Sequence, residues 1–133
     1  AEPGNFAWHR LLAGALLHQD RADDALAEFI KALLLNPGDA ETNFGIGQIH
    51  LNAGRNAEAV DALRRATELN ADSIDAAYAL ATALTRLGNV AEATPYFERV
   101  EQVQRQRQAD RRRQLLLDIQ REESAVRSGS AVR

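Results

Sequence analysis

The sequence predicts an all-α fold of three stacked helical hairpins followed by one further helix, and three observations carry that prediction. The first is an internal repeat with a period of 34 residues. Ala25, Ala59 and Ala93 align, as do Phe29, Leu63 and Phe97; Ala32, Ala66 and Val100; Leu12, Ile46 and Leu80; and Ala13, Gly47 and Ala81. A lone hairpin has no reason to recur at fixed spacing, whereas stacked supersecondary units do. The second is punctuation at the same period. Asn5, Asp39 and Ser73 stand directly before apolar-periodic segments, and Asp20, Gly54 and Gly88 stand after them. The third is side-chain size. Helices cross closely only where the contact residues are small, and Ala13, Gly47, Ala81, Ala25, Ala59 and Ala93 supply such contacts once per hairpin.

The elements follow in order. Asn5, Asp39 and Ser73 carry side-chain oxygens that accept the orphan N–H groups of a helix's first turn. They predict first helices over about 6–19, 40–53 and 74–87. Gly54 and Gly88 allow the left-handed backbone that ends such a helix. Second helices are predicted over about 23–35, 57–70 and 90–104, with Asn56 and Asn89 near their starts. Leu12, Leu16, Phe29, Ile46, Leu63, Leu80, Leu84 and Phe97 are the large residues that fill the space between pairs. Pro95 falls inside the last second helix, where it removes a backbone donor and predicts a local bend.

From Glu101 the pattern changes to VQRQRQADRRRQLLLDIQREES, with no Gly or Pro and many helix formers. Leu115, Leu116 and Ile119 fall where the core residues of a fourth first helix would lie if one extra residue is inserted after the third repeat. Residues 107–125 therefore read as a C-terminal capping helix; one long helix from Val90 to Ser124 is the alternative, and both stay open. Residues 126–133, with Ser128, Gly129 and Ser130, read as a flexible tail. The opening AEPGN matches NPGD at Asn36–Asp39, one period on, so Ala1–Asn5 reads as the end of a preceding repeat. Methionine is absent. A segment of a larger protein is therefore expected.

Composition narrows the chemistry. Of the chain, 45% is hydrophobic and 26% charged, ordinary for a soluble globular domain. With no cysteine there is neither a disulfide framework nor a thiolate metal site. No apolar run approaches the ~18 residues that span a membrane. The formal charge of −3 hides an asymmetry: residues 1–98 hold 7 Lys/Arg against 14 Asp/Glu, and residues 99–133 hold 9 Arg against 5 Asp/Glu. The hairpins are acidic and the C-terminal stretch is basic. Fifteen arginines against one lysine associate with a high-GC bacterial source, and a cytoplasmic setting is expected over a periplasmic one.

Together these residues resemble the tetratricopeptide repeat, whose pattern runs aromatic, Leu, Gly, aromatic in a first helix and Ala, Phe, Ala, Pro in a second. Pro37 fills the closing proline of the first copy; Ala71 and Arg105 replace it later. The Trp position holds His9, Asn43 and Ala77. The resemblance implies a right-handed α-solenoid over 1–105, with repeats at about 6–39, 40–73 and 74–106, and a non-catalytic protein-interaction role. It also implies a concave groove along the inner faces of the first helices, taking an extended peptide or a partner helix. Carried over, that groove presents Arg10, Gly14, Leu17 and His18, then Glu41, Phe44, Gln48, Leu51 and Asn52, then Asp75, Tyr78, Thr82, Thr85 and Arg86. Arg10, His18, Phe44, Gln48, Asn52, Tyr78, Thr82 and Arg86 are the candidate peptide contacts, with Phe44 and Tyr78 as a pair of aromatic walls. The plainer reading is that both aromatics cover neighbouring helices. A subclass of the family grips a carboxylate terminus with basic residues and Asn. The matching positions here, Arg10, Gly14, Gly45, Asp75 and Ala79, keep one charge and reverse another, which disfavours such capture.

No catalytic constellation stands against that reading. His9, His18 and His50 share no face with one another at ligand spacing, and no HExxH, nucleophile–base pairing or phosphate-cradling loop is present, so no metal and no cofactor is implied. Gly45-Ile46-Gly47 falls inside a predicted helix and supplies packing space. Arg105, Arg107, Arg111, Arg112 and Arg113 spread around a helix without an aromatic, which disfavours nucleic acid. Two further readings stay open. One is self-association, as a homo-oligomer through the Leu115–Ile119 stripe; the other is a substrate-recruiting part of a larger enzyme.

Overall fold

Side-chain oxygens start three of the helices. In this computed structural model, which describes residues 4–129, Asn5 accepts from the Ala7 N–H at 2.9 Å, Asp39 from Thr42 at 3.1 Å and Ser73 from Ala76 at 3.2 Å. Each satisfies a first-turn donor that the helix cannot. The helices so capped are α1 (Phe6–His18), α3 (Ala40–Asn52) and α5 (Ile74–Arg86). Their partners are α2 (Ala22–Leu35), α4 (Asn56–Leu69) and the beginning of α6 (Val90–Arg127). Every start and stop of the first five lies within one residue of the sequence reading. The opening residues 1–3, expected to end a preceding repeat, and residues 130–133 of the expected tail lie outside the described residues.

The turns inside the hairpins share one geometry. Asp20, Gly54 and Gly88 have φ of 57°, 77° and 86°. The residue after each donates back five positions, Arg21 to the Leu16 carbonyl at 2.9 Å, Arg55 to His50 at 2.8 Å and Asn89 to Leu84 at 2.8 Å. A left-handed residue followed by this long return bond terminates a helix while satisfying its last carbonyls. Asp20 does so with a side chain in place.

Packing in the N-terminal unit, residues up to 99, rests on the small residues. Ala13, Ala25, Ala59, Ala81 and Ala93 are at most 1% exposed. A Cβ on Gly47 would come within 2.5 Å of Leu63 Cγ, and one on Gly45 within 2.5 Å of the tip of the Phe29 ring. Both glycines are thus places where a large side chain of the second helix lies on the backbone of α3. Leu63, Leu80 and Leu84 are fully buried around Ala59, Val60 and Ala93, while Phe29, Leu16, Ile46 and Ile49 gather around Ala13 and Ala25. Phe97 departs from its equivalents. It is 37% exposed, whereas Phe29 and Leu63 are buried, because no fourth hairpin within this unit follows to cover it.

The larger difference lies further on. The break expected near residues 104–107 is absent, and α6 runs without interruption through Pro95 to Arg127. Between Gln104 and Gln108 the chain offers only Arg and Gln, with no cap residue, Gly or Pro to stop a helix. Residues 107–125 are therefore not a separate helix. In the C-terminal unit, taken by itself, Leu115, Leu116 and Ile119 are exposed and occupy no core. Among the described residues there is no strand, and no helix is long and apolar enough to cross a membrane.

Two consequences are measurable by denaturant unfolding. Gly47→Ala gains about 1 kcal/mol of helix propensity but meets Leu63, an overpacking cost of about 1–3 kcal/mol, so a net loss of about 1 kcal/mol is expected. Gly14→Ala, where nothing lies within 4 Å of the added Cβ, is expected to stabilise by up to about 1 kcal/mol; equal shifts in the two variants would contradict this packing. Asp20→Gly relieves a left-handed non-glycine residue and is expected to raise the midpoint by the equivalent of about 1 kcal/mol.

Candidate functional site

Along α1 the residues Arg10, Gly14, Leu17 and His18, and along α3 the residues Glu41, Phe44, Gln48 and Asn52, follow the three-and-four spacing that puts side chains on one helix face. The two faces border a groove of about 1060 Å³ within the N-terminal unit. Leu11 and Ala15 extend its rim, and Phe29, Gly45 and Ala66 lie along it. Asn70, Ser73, Asp75 and Ala76 border it where α4 passes to α5. Gly14 leaves open space, whereas the space at Gly45 is taken by Phe29. The lining is mixed: Leu11, Leu17 and the half-buried Phe44 are apolar, and Gln48, Asn52 and His18 carry donors and acceptors.

Its charges are already paired on one side. The Arg10 guanidinium donates from Nη1 to both Asp39 carboxylate oxygens at 3.0 Å, lies 3.2 Å from Glu41 Oε2, and sits 5.8 Å from the centre of the Phe6 ring. Asp39 also caps α3. Burial works to raise its pKa, yet hydrogen bonds from Thr42 and Arg10 outweigh burial and hold the carboxyl below its ordinary 3.8. Glu41 and Asp75 are exposed, so the uncompensated charge of the groove is acidic.

The histidines divide. His9 is 8% exposed, its Nδ1 lying 2.6 Å from Glu28 Oε2. Glu28 is held below its ordinary 4.5 by its hydrogen bond from Lys31 first and by His9 second. His50 accepts from Arg55 Nε at 2.8 Å, and burial, then the Arg55 charge, push its pKa below 6.5. Only His18 of the three borders the groove. Among the described residues no three His, Cys, Asp or Glu side chains gather as a metal site.

Five of the eight residues singled out from the sequence, Arg10, His18, Phe44, Gln48 and Asn52, border this groove; Tyr78, Thr82 and Arg86 do not. Tyr78 is 57% exposed and meets Phe97 edge-on, ring centres 5.8 Å apart at 76°. Of the expected pair of aromatic walls, Phe44 borders this groove and Tyr78 lies against Phe97 on α6. Thr82 returns its hydroxyl to the Tyr78 carbonyl at 2.9 Å. Arg86 donates to the Leu51 carbonyl at 3.1 Å, tying α5 to the end of α3. Leu51 itself is buried in the core and does not line the groove. Asp39 was legible as a cap but not as the partner of Arg10; opposite charges in the opening turns of neighbouring first helices were the signal.

A family model for the tetratricopeptide repeat matches residues 1–41 and 44–110. The cell division cycle protein 27 homolog of Caenorhabditis elegans is 36% identical over 62 residues, which are 47% of this chain and 8% of that protein. The crystal structure of MamA superposes with a TM-score of 0.69 at 20% identity, covering 74% of this chain and 54% of MamA, a likeness of fold alone. That of YrrB, a TPR protein with an unusual peptide-binding site, superposes with a TM-score of 0.67 at 28% identity, over 69% of this chain and 47% of YrrB. The chain thus spans a small part of the first relative and about half of each of the two solved chains.

The shifted groups set the pH response. His50 favours its neutral form when folded, so its contribution is complete above 6.5 and is lost as pH falls from there towards its lowered folded value. Glu28 and Asp39 are depressed carboxyls, whose contributions hold above 4.5 and 3.8 and are lost as pH falls through their lower folded values. Melting temperature is expected to fall in two stages on acidification, with the first reduced in His50→Gln and the second reduced in Asp39→Asn. A midpoint constant from pH 7 to about 3 would contradict the assignment.

Proposed function

Because the chain belongs to the tetratricopeptide repeat family, we propose that it is a non-catalytic protein-interaction module whose groove between α1 and α3 binds an extended peptide or short helix of a partner. The observation that carries this reading is the open space at Gly14 in a groove that the half-buried Phe44 also lines. At about 1060 Å³ the groove stands at the upper end of the volumes that hold a ligand, about 300–1,000 Å³. An aromatic anchor in a partly desolvated groove, ringed by polar groups, is where binding energy concentrates. Gln48 and Asn52 can each donate to and accept from a peptide backbone. The peptide-binding site of YrrB supports the same use of the fold.

The charges refine the partner. Arg10 is held by Asp39 and Glu41 and is poorly placed to capture a free carboxylate, whereas Glu41 and Asp75 remain exposed. The fitting ligand carries an apolar residue for the Phe44 wall and a basic residue beside it. Tyr78, Thr82 and Arg86 belong in this proposal to the folded scaffold. Micromolar affinity, roughly −8 kcal/mol, is expected.

A random-peptide display selection against the chain tests this. It is expected to return sequences pairing an apolar with a basic residue. Phe44→Ala, and Gly14→Phe, which fills the open space, should each weaken a selected peptide about tenfold or more, with helicity unchanged by circular dichroism. Undiminished binding by both variants would remove the groove as the site.

A further inference from the structure

We propose that residues 108–127 of α6 pair antiparallel with the same segment of a second copy of this chain. The segment lies in one unbroken helix, yet Leu116 is 54%, Ile119 43% and Val126 58% exposed. On a continuous helix Ala109, Leu116 and Glu123 recur every seven residues, and so do Arg112, Ile119 and Val126. The two sets interleave at spacings of three and four, which makes a single seam of the kind that two supercoiled helices share.

The order of residues along that seam selects both the partner and the direction. With the crossing point between Leu117 and Asp118, Leu116 meets the partner's Ile119, Arg112 meets the partner's Glu123, and Ala109 meets the partner's Val126. By symmetry each contact occurs twice, as a two-fold interface requires. The seam then reads apolar, ionic, apolar, apolar, ionic, apolar, with every charge opposite its complement. A parallel pair would instead set Arg112 on the partner's Arg112 and Glu123 on the partner's Glu123, placing like charges in the seam. The paired stretch is about 30 Å long and lies wholly within the C-terminal unit. The acidic residues among the arginines also set this helix apart from a nucleic-acid surface, for they complement a second copy and repel phosphate.

Sedimentation of the 133-residue chain over a range of concentrations is expected to show a reversible monomer–dimer equilibrium that Leu116→Asp abolishes. Arg112→Glu and Glu123→Arg, each alone, should weaken the dimer about tenfold or more, and mixing the two variants should restore it. Because the chain has no cysteine, orientation can be read by oxidation: an equimolar mixture of Ala109→Cys and Val126→Cys should cross-link, and neither variant should cross-link with itself. All these positions are exposed, so circular dichroism is expected to match the unaltered chain. A monomer at every concentration up to about 100 µM, a dimer indifferent to Leu116→Asp, or self-cross-linking of either cysteine variant would overturn the proposal.

Discussion

The structure depends on how closely the two helices of a hairpin can approach. At the centre of the second hairpin Leu63 lies on the backbone of α3 where Gly47 has no side chain, and Ala59 faces the same core with no exposed surface. The equivalent sites in the flanking hairpins hold Ala13 with Ala25 and Ala81 with Ala93, all buried. Close approach lets the large residues of one hairpin reach into the next, and this is how a chain of hairpins, each unable to bury its apolar face alone, shares a core. The groove follows from the same constraint. When the second helices pack tightly against the first, the opposite faces of α1 and α3 are left lining open space.

Local signals and site chemistry meet in one residue. Asp39 begins α3 by accepting from Thr42, and its carboxylate also holds Arg10 on the neighbouring first helix. The cap therefore fixes the direction of α3 and engages Arg10, the groove-lining cation that would otherwise draw an acidic ligand. Gly45 shows a similar economy. Its missing side chain admits the Phe29 ring from α2, so residues of the second helix border a groove built from first helices.

What could be read from the sequence was what repeats. Caps, turns and small contacts recur at a fixed period and are decided within a few residues, so α1 to α5 and the left-handed turns were legible. Features that depend on what lies beyond a repeat were not. Phe44 and Tyr78 are equivalent in period, yet one borders the groove and the other meets Phe97, because that choice is made by residues of a neighbouring helix. Leu51 sits at a groove position by spacing but is drawn into the core with Leu80 and Leu84. The continuity of α6 was undecided for a different reason. Helix formers without punctuation permit a helix to go on, and only a packing partner would force it to stop.

The pairing of Tyr78 with Phe97 also bears on why the third repeat adds only its opening residues, Ser73, Asp75 and Ala76, to the groove. Within the N-terminal unit no fourth hairpin covers the large residue that the third would offer to a successor. Here Phe97 remains partly exposed, and Tyr78 comes edge-on against it, an arrangement that aromatic quadrupoles favour by about 0.5–1.5 kcal/mol beyond buried area. Thr82 turns its hydroxyl to its own helix and Arg86 spends its donor on Leu51. Tyr78, Thr82 and Arg86 of the third repeat are thus engaged within the unit, while the equivalent positions of the second repeat, Phe44, Gln48 and Asn52, border the groove. Identical spacing yields a groove wall in one repeat and an edge-on aromatic contact in the next, and the neighbouring helix makes the difference.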